Sequence, residues 1–411
     1  MGAIVTALFA LFIILLPRFT DTAKTLFVLL ILTSLGYLIL HLNQVKWTSS
    51  IERLFFVSML ANFLWMAFSF YYNGEPGRGA SFLWGRHFYL LFLIPLFYLF
   101  RQFEISDRMI VSTLLCSVVV SLTDISIDLL QGIDHRLQGM NPNAFGPIQL
   151  CFTGILFFYF LKLPRSVLKW IALGGAVIGM STVILSLSKS TLITAMILSV
   201  FFGFYLLRSQ PAWKIGAVAT GFLVMIVSSY SVPMVNKRIN EAPESIARYY
   251  ANDDYRDNSR LGTFGTRMEL WKTGWKIFLE NPVTGVGVGG FKVMARENSE
   301  RYQVNEIVHH FKYVHNQYIA ALATRGIPGL ILFLLFLTLP LYIAMSHRAF
   351  DRESEVARLS LMFISLTYLI GCLGEDHFEG KSATMFVAVF AALLLARLST
   401  GKPQQVQAGS P

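Results

Sequence analysis

Long apolar runs recur from one end of this chain to the other. Most are about 17 to 23 residues, the length at which a helix crosses the hydrocarbon core of a bilayer. They fall near residues 2–17, 24–42, 53–72, 87–100, 109–131, 144–162, 168–186, 190–207, 213–234, 327–346, 356–373 and 382–398. The expected fold class is therefore an all-α polytopic membrane protein with about 12 transmembrane helices. Composition agrees: 55% of the 411 residues are hydrophobic and 14% are charged, where soluble domains carry roughly a quarter charged residues. The first run has no charged segment before it and no small-residue cleavage site, so it reads as a retained helix rather than a signal peptide. Cys116, Cys151 and Cys372 lie within or at the end of apolar runs without CxxC spacing. They read as apolar filling, not as a disulfide framework or a thiolate metal site.

The formal net charge is +10, but the cations stand singly between spans instead of forming a stripe, which argues for membrane lipids as partners and against nucleic acid. Lys162, Arg165, Lys169, Arg348, Arg352 and Arg358 belong to one set of short loops, which holds about twice as many cations as the alternate set with Arg18, Lys24, Arg86 and Lys381. The positive-inside rule then puts both termini in the cytoplasm and the long interval between the ninth and tenth spans on the far side, the periplasm of a Gram-negative cell. The expected organisation is 1–234 as N-terminal membrane helices, 235–326 as a periplasmic loop domain, 327–398 as C-terminal membrane helices and 399–411 as a cytoplasmic tail.

The long loop is the one interval large enough to form a water-facing unit. No nucleoside triphosphates are available on that side, so a reaction there needs a substrate activated beforehand. Sugars on a polyprenyl diphosphate meet that need, and handling one requires cations for the diphosphate and a base for the acceptor hydroxyl. Within the loop, Arg267–Glu280 has helical periodicity, with Met268, Trp271, Trp275 and Phe278 on one face and Glu269, Lys272 and Lys276 away from it. That pattern suits an interfacial helix among lipid headgroups. Arg267 falls in its first turn, where a cation opposes the helix dipole; pairing with Glu269 or a lipid phosphate is the structural alternative to a functional role. Asn281-Pro282 ends the helix and a glycine run, GVGVGGF, follows. The run has no GK[ST], so it reads as a packing turn, with anion binding by backbone amides as the alternative. His309 and His310 read as loop residues, and no HExxH spacing makes a zinc site. His315 stands where the polar loop turns into an apolar run and is the candidate base, against the commoner structural role for a lone histidine.

His315-Asn316, nine residues and then Gly326-Ile327-Pro328-Gly329 resembles the H-[NSQ]-x9-G-x-x-[GTY] signature of bacterial O-antigen ligases. Arg267 to Trp271, followed by Pro282 and its glycines, is similar to the Arg-x-x-x-Trp and Pro-x-x-Gly-x-Gly elements of the wider O-antigen ligase and polymerase superfamily. The resemblance implies a glycosyltransferase that moves O-antigen from undecaprenyl diphosphate to a lipid A-core sugar, without metal, nucleotide or other cofactor, as a monomer. It implies His315 as general base and Arg267 on the diphosphate. Asn316, Trp271, Gly326 and Gly329 would support them. The family's second arginine is replaced in Ser188-Lys189-Ser190 by Lys189, which keeps the charge and loses the fork. Asp376, within GEDHFEG, resembles a recurrent acidic position, while Glu375 and Glu379 read as bystanders. Arg136 is a further candidate diphosphate contact. With no paired carboxylates to form a glycosyl-enzyme, direct inverting displacement is expected. The rival readings are an O-antigen polymerase, a protein O-oligosaccharyltransferase and, outside enzymes, a transporter of lipid-linked glycan. A transporter would be expected to show charges at mid-membrane depth, for which Asp124 and Asp128 are the candidates.

Overall fold

In lipid, every backbone polar group must find its partner inside the protein, and a helix supplies those partners within one segment. The computed structural model describes residues 1–42, 49–74, 81–132, 141–207, 233–251, 256–257 and 261–400, and no strand occurs among them. The helices are α1 (Gly2–Leu15), α2 (Thr20–Leu40), α3 (Ser50–Tyr72), α4 (Ser81–Leu91), α5 (Leu93–Gln102), α6 (Asp107–Leu130), α7 (Pro142–Lys162), α8 (Val167–Leu185), α9 (Lys189–Leu207), α10 (Pro233–Tyr250), α11 (Gly262–Glu280), α12 (Gly290–Tyr302), α13 (Gln317–Ser346), α14 (Arg352–Gly371) and α15 (Lys381–Thr400).

Nine of these helices among the described residues are long and apolar enough to cross a membrane: α2, α3, α6 to α9 and α13 to α15. The expected count of 12 is reduced for three reasons. The expected span at 213–234 lies outside the described residues apart from its last two positions. The first run forms a helix of only 14 residues. The expected fourth span divides into α4 and α5 at Phe92, where Pro95 removes the amide that would have bonded the Leu91 carbonyl. The tenth expected span, placed to begin at 327, begins instead at Gln317 and kinks at Gly326.

α15 and α7 sit at the centre of the bundle, with 89% and 78% of their apolar windows buried. Turns between the described spans gather at two opposite ends of the bundle. At one end Asp107 accepts from Arg397 at 2.8 Å, from Arg352 at 2.9 Å and from the Tyr159 hydroxyl at 2.9 Å. This ties the starts of α6 and α14 to the ends of α7 and α15. At the opposite end lie the starts of α7, α9, α13 and α15 and the end of α14, and the loop unit packs there. Asp124 and Asp128, near the end of α6, both pair with Arg18 in the α1–α2 turn. They therefore form an ion pair at a helix end and not a mid-depth charge.

The loop unit has its own small core, in which Leu270 and Ile277 of α11 meet Phe291 and Ala295 of α12, Val304, Val308, Val314 and the first turns of α13. The face of α11 that packs on this core is a different one from the tryptophan face, which was expected among lipid headgroups. Gly265, Glu269, Leu270, Thr273, Gly274 and Ile277 face inward, while Trp275 is exposed. Glu269 is buried because it accepts from the Tyr249 hydroxyl at 2.9 Å and from the Asn305 amide at 2.7 Å. Lys272 and Lys276 donate to the carbonyls of Gln303 and Tyr302 and so cap the end of α12.

Candidate active site

The two sequence elements of the loop meet backbone to backbone. In the turn after α11, the amides of Val286 and Gly287 bond the carbonyls of Ala323 and Thr324, each at 3.0 Å, and the Ile327 amide returns to the Pro282 carbonyl at 2.9 Å. The glycine run is thus a packing turn, as its plainer reading had it. Gly326 has φ 67° and ψ −168°, a region open to glycine. A Cβ on it would overlap the Val283 carbonyl, and one on Gly285 would overlap the backbone of Thr324 and Arg325. Gly329 faces the Arg325 side chain across the kink. Ser69 of α3 completes the joint by donating to the Thr324 carbonyl at 2.9 Å, and it also lies within hydrogen-bonding distance of the Thr284 carbonyl.

This joint fixes the start of α13, and with it His315. Asn316 is the N-cap of α13, its Oδ1 accepting from the amides of Tyr318 and Ile319 at 3.1 Å. His315 itself adopts φ 57°, unusual for a residue with a side chain. Both of its backbone groups are held: its amide donates to Asp376 Oδ2 at 2.6 Å, and its carbonyl accepts from Trp271 Nε1 at 3.2 Å. Its Nδ1 bonds Glu375 Oε2 at 2.8 Å. A carboxylate on Nδ1 fixes that nitrogen as the donor and leaves Nε2 as the basic lone pair. Nε2 has no hydrogen-bond partner among the described residues. Burial lowers the imidazole pKa, but the hydrogen bond and charge of Glu375, with Asp376 behind it, outweigh burial, and the result lies above the ordinary 6.5.

Glu375 is the hub of the site and not a bystander. Its side chain is 7% exposed, and while Oε2 takes His315, Oε1 takes the Arg267 guanidinium and Asn143 Nδ2, the latter at 2.6 Å. Asn143 in turn accepts from the Ser188 hydroxyl at 2.9 Å, which joins the hub to the turn that carries Lys189. Arg267 pairs with this carboxylate and not with Glu269, and because α11 begins at Gly262, it lies in the second turn of the helix and not the first.

Asp376 is half-buried, and loss of solvent around its carboxyl first, then repulsion from Glu379, pushes its pKa up to about 7. Glu379 is buried: its Oε1 lies 3.4 Å from His87 Nε2 and 3.3 Å from Gln317 Nε2. Arg86 donates to the Glu379 carbonyl and to the Tyr313 hydroxyl. The Gln317 amide bonds the Cys372 carbonyl at 2.9 Å, and its Oε1 accepts from the Phe378 amide at 3.0 Å. The GEDHFEG segment is therefore the floor beneath His315 and not a solvated loop.

A cavity of about 1060 Å³ opens over these groups. Its lining includes Arg267, Lys189, His315 and Glu375, with Glu244 and Arg248 of α10 and Ile193, Thr194 and Ile197 of α9. It brings together three cationic side chains, an imidazole and an apolar approach. Arg136 lies outside the described residues. Sequence reasoning passed over Glu375, Asn143 and Ser188, which carry no spacing signal. Adjacency of Glu375 to Asp376 was the one hint available.

A family model described as O-antigen ligase matches residues 174–334. The match contains Lys189, Arg267, His315, Gly326 and Gly329 and stops short of Glu375 and Asp376. An uncharacterized protein of Haemophilus influenzae is 26% identical over 108 residues, a stretch that is 26% of this chain and 26% of that protein.

Proposed function

Since this chain belongs to the O-antigen ligase/polymerase superfamily, we propose that it is an O-antigen ligase: a glycosyltransferase that moves glycan from undecaprenyl diphosphate to a hydroxyl of lipid A-core. The observation that supports this reading best is one cavity lined by Arg267, Lys189 and His315, with His315 oriented through Nδ1 by Glu375. Arg267 and Lys189 hold the diphosphate and offset the charge that grows on it. The acceptor hydroxyl gives its proton to His315 Nε2 as its oxygen forms a bond to the anomeric carbon. The bond from that carbon to the phosphate oxygen breaks, and the electron pair leaves on the diphosphate. The configuration inverts, since no second nucleophile intervenes. Ile193 and Ile197 give the polyprenyl chain an apolar path from the bilayer. The cavity faces the periplasm, both termini lie in the cytoplasm of a Gram-negative inner membrane, and the protein acts as a monomer.

The test is transfer by the purified full chain given lipid-linked O-antigen and lipid A-core, in EDTA and without ATP. Product is expected; a requirement for added divalent ion would overturn the metal-independent mechanism. In cells, loss of the gene is expected to leave lipid-linked polymer beside lipopolysaccharide without O-antigen. Lipopolysaccharide capped with single repeats would instead identify a polymerase.

A further inference from the structure

Glu375 serves a guanidinium and an imidazole with one carboxylate, an oxygen for each: Oε1 for Arg267 and Oε2 for His315. Asn143 is the other donor on Oε1, so removal of the guanidinium would leave Oε1 with a neutral partner. The carboxylate is buried, and a buried charge that loses one counter-ion leans on the next. Arg267, by contrast, lines the cavity with its side chain 27% exposed, within reach of a ligand as well as of Glu375.

We propose that Glu375 is a shared counter-ion that passes from Arg267 to His315 when a diphosphate takes the guanidinium, so that donor binding itself makes the imidazole a stronger base. This rests on the donor reading above. In the empty site Arg267 and the imidazole compete for Glu375. Once the diphosphate engages Arg267, the carboxylate charge falls on Nδ1–H alone, and Nε2 gains proton affinity when an activated sugar is in place. Glu375 is a positioning residue here, because it touches neither substrate and acts through His315. The other charged groups that bear on the ring are Asp376 beneath it and Lys189, Arg248 and Glu244 around the cavity. Among the described residues, Glu375 is a carboxylate in contact with both Arg267 and His315.

The readout is the pH midpoint at which His315 becomes reactive to diethyl pyrocarbonate, followed by mass spectrometry of its peptide in the full chain held in lipid nanodiscs. Neutral imidazole reacts and imidazolium does not. Arg267→Gln is expected to raise the midpoint and slow modification near neutral pH roughly three- to tenfold, the scale on which a neighbouring charge moves a titrating group. Glu375→Gln is expected to lower the midpoint. In the double variant the Arg267→Gln effect should shrink to a small remainder. The same shift from Arg267→Gln with and without Glu375 would mean that the arginine acts on the ring directly, and would overturn the proposal.

A second arm starts from the unmodified chain, so the result that would overturn the proposal does not depend on the variants folding. Undecaprenyl diphosphate is expected to raise the midpoint in the wild-type chain and to move it far less in Glu375→Gln. Binding of undecaprenyl diphosphate, seen by retention on the nanodiscs of a labelled sample against empty discs, with no change in midpoint would overturn the coupling and leave the donor site standing. Absence of binding would overturn both.

Discussion

The carbonyl oxygen of Val283 occupies the space that a side chain on Gly326 would need. This contact locks the turn after α11 against the kink in α13 and so sets the distance between Arg267 on one helix and His315 at the start of the other. Gly326→Ala is expected to cost about 1–3 kcal/mol from backbone strain alone, with displacement of Val283 added to it. Thermal unfolding of the purified protein, followed by loss of the monodisperse peak on gel filtration, measures this. An unchanged midpoint would mean that the kink relaxes freely.

Arg267 and Lys189, two of the cavity cations, are expected to respond differently to exchange. A guanidinium can meet two phosphate oxygens at once and an ammonium cannot. Arg267→Lys is therefore expected to lose roughly ten- to a hundredfold in transfer, the equivalent of one charge-assisted hydrogen bond of about 1.5–3 kcal/mol. Lys189→Arg is expected to be tolerated, and Lys189→Ala is not. Full activity of Arg267→Lys in the purified assay would reassign Arg267 to an anchoring role.

Asp376 holds the His315 amide by an acceptor oxygen, which asparagine also provides. Asp376→Asn is accordingly expected to keep most of the transfer activity. Asp376→Ala leaves a buried amide without its partner and should cost about 1–3 kcal/mol. Stability and transfer measured together on both variants check this; equal loss in both would show that the charge of Asp376, and not its geometry, is what the site uses.

Because the base must be neutral and its pKa lies above 6.5, transfer is expected to rise with pH through that raised value and then level off. Below it the imidazolium paired with Glu375 dominates and the reaction slows. Glu375→Gln should move this acid limb to lower pH while reducing the plateau. His315→Ala should abolish transfer at every pH while the chain still inserts and elutes normally, and ordinary O-antigen ladders from a His315→Ala strain would remove the histidine from the mechanism.

Span length and apolar content made the all-helical membrane class readable at once, because the bilayer sets the length that a helix must have. The long polar interval was also visible, and with it the candidates Arg267 and His315; Lys189, outside the interval, was singled out as a departure from the family's arginine, and the cavity brings all three together. Periodicity on α11 records where apolar side chains lie and not which neighbour arrives, so it did not show that Glu269 would be buried. There Glu269 is drawn inward by Tyr249 and Asn305.

Glu375 could not be read as a hub from its place in the chain. Its two cationic partners are 60 and 108 residues away in sequence, and a carboxylate beside another in a short turn looks the same whether it faces water or two cations. That choice belonged to packing. The turn between α14 and α15 is held under His315 by Gln317 and by the amides of the 372–380 segment, and no local rule of propensity or spacing places a turn beneath a residue so distant in the chain.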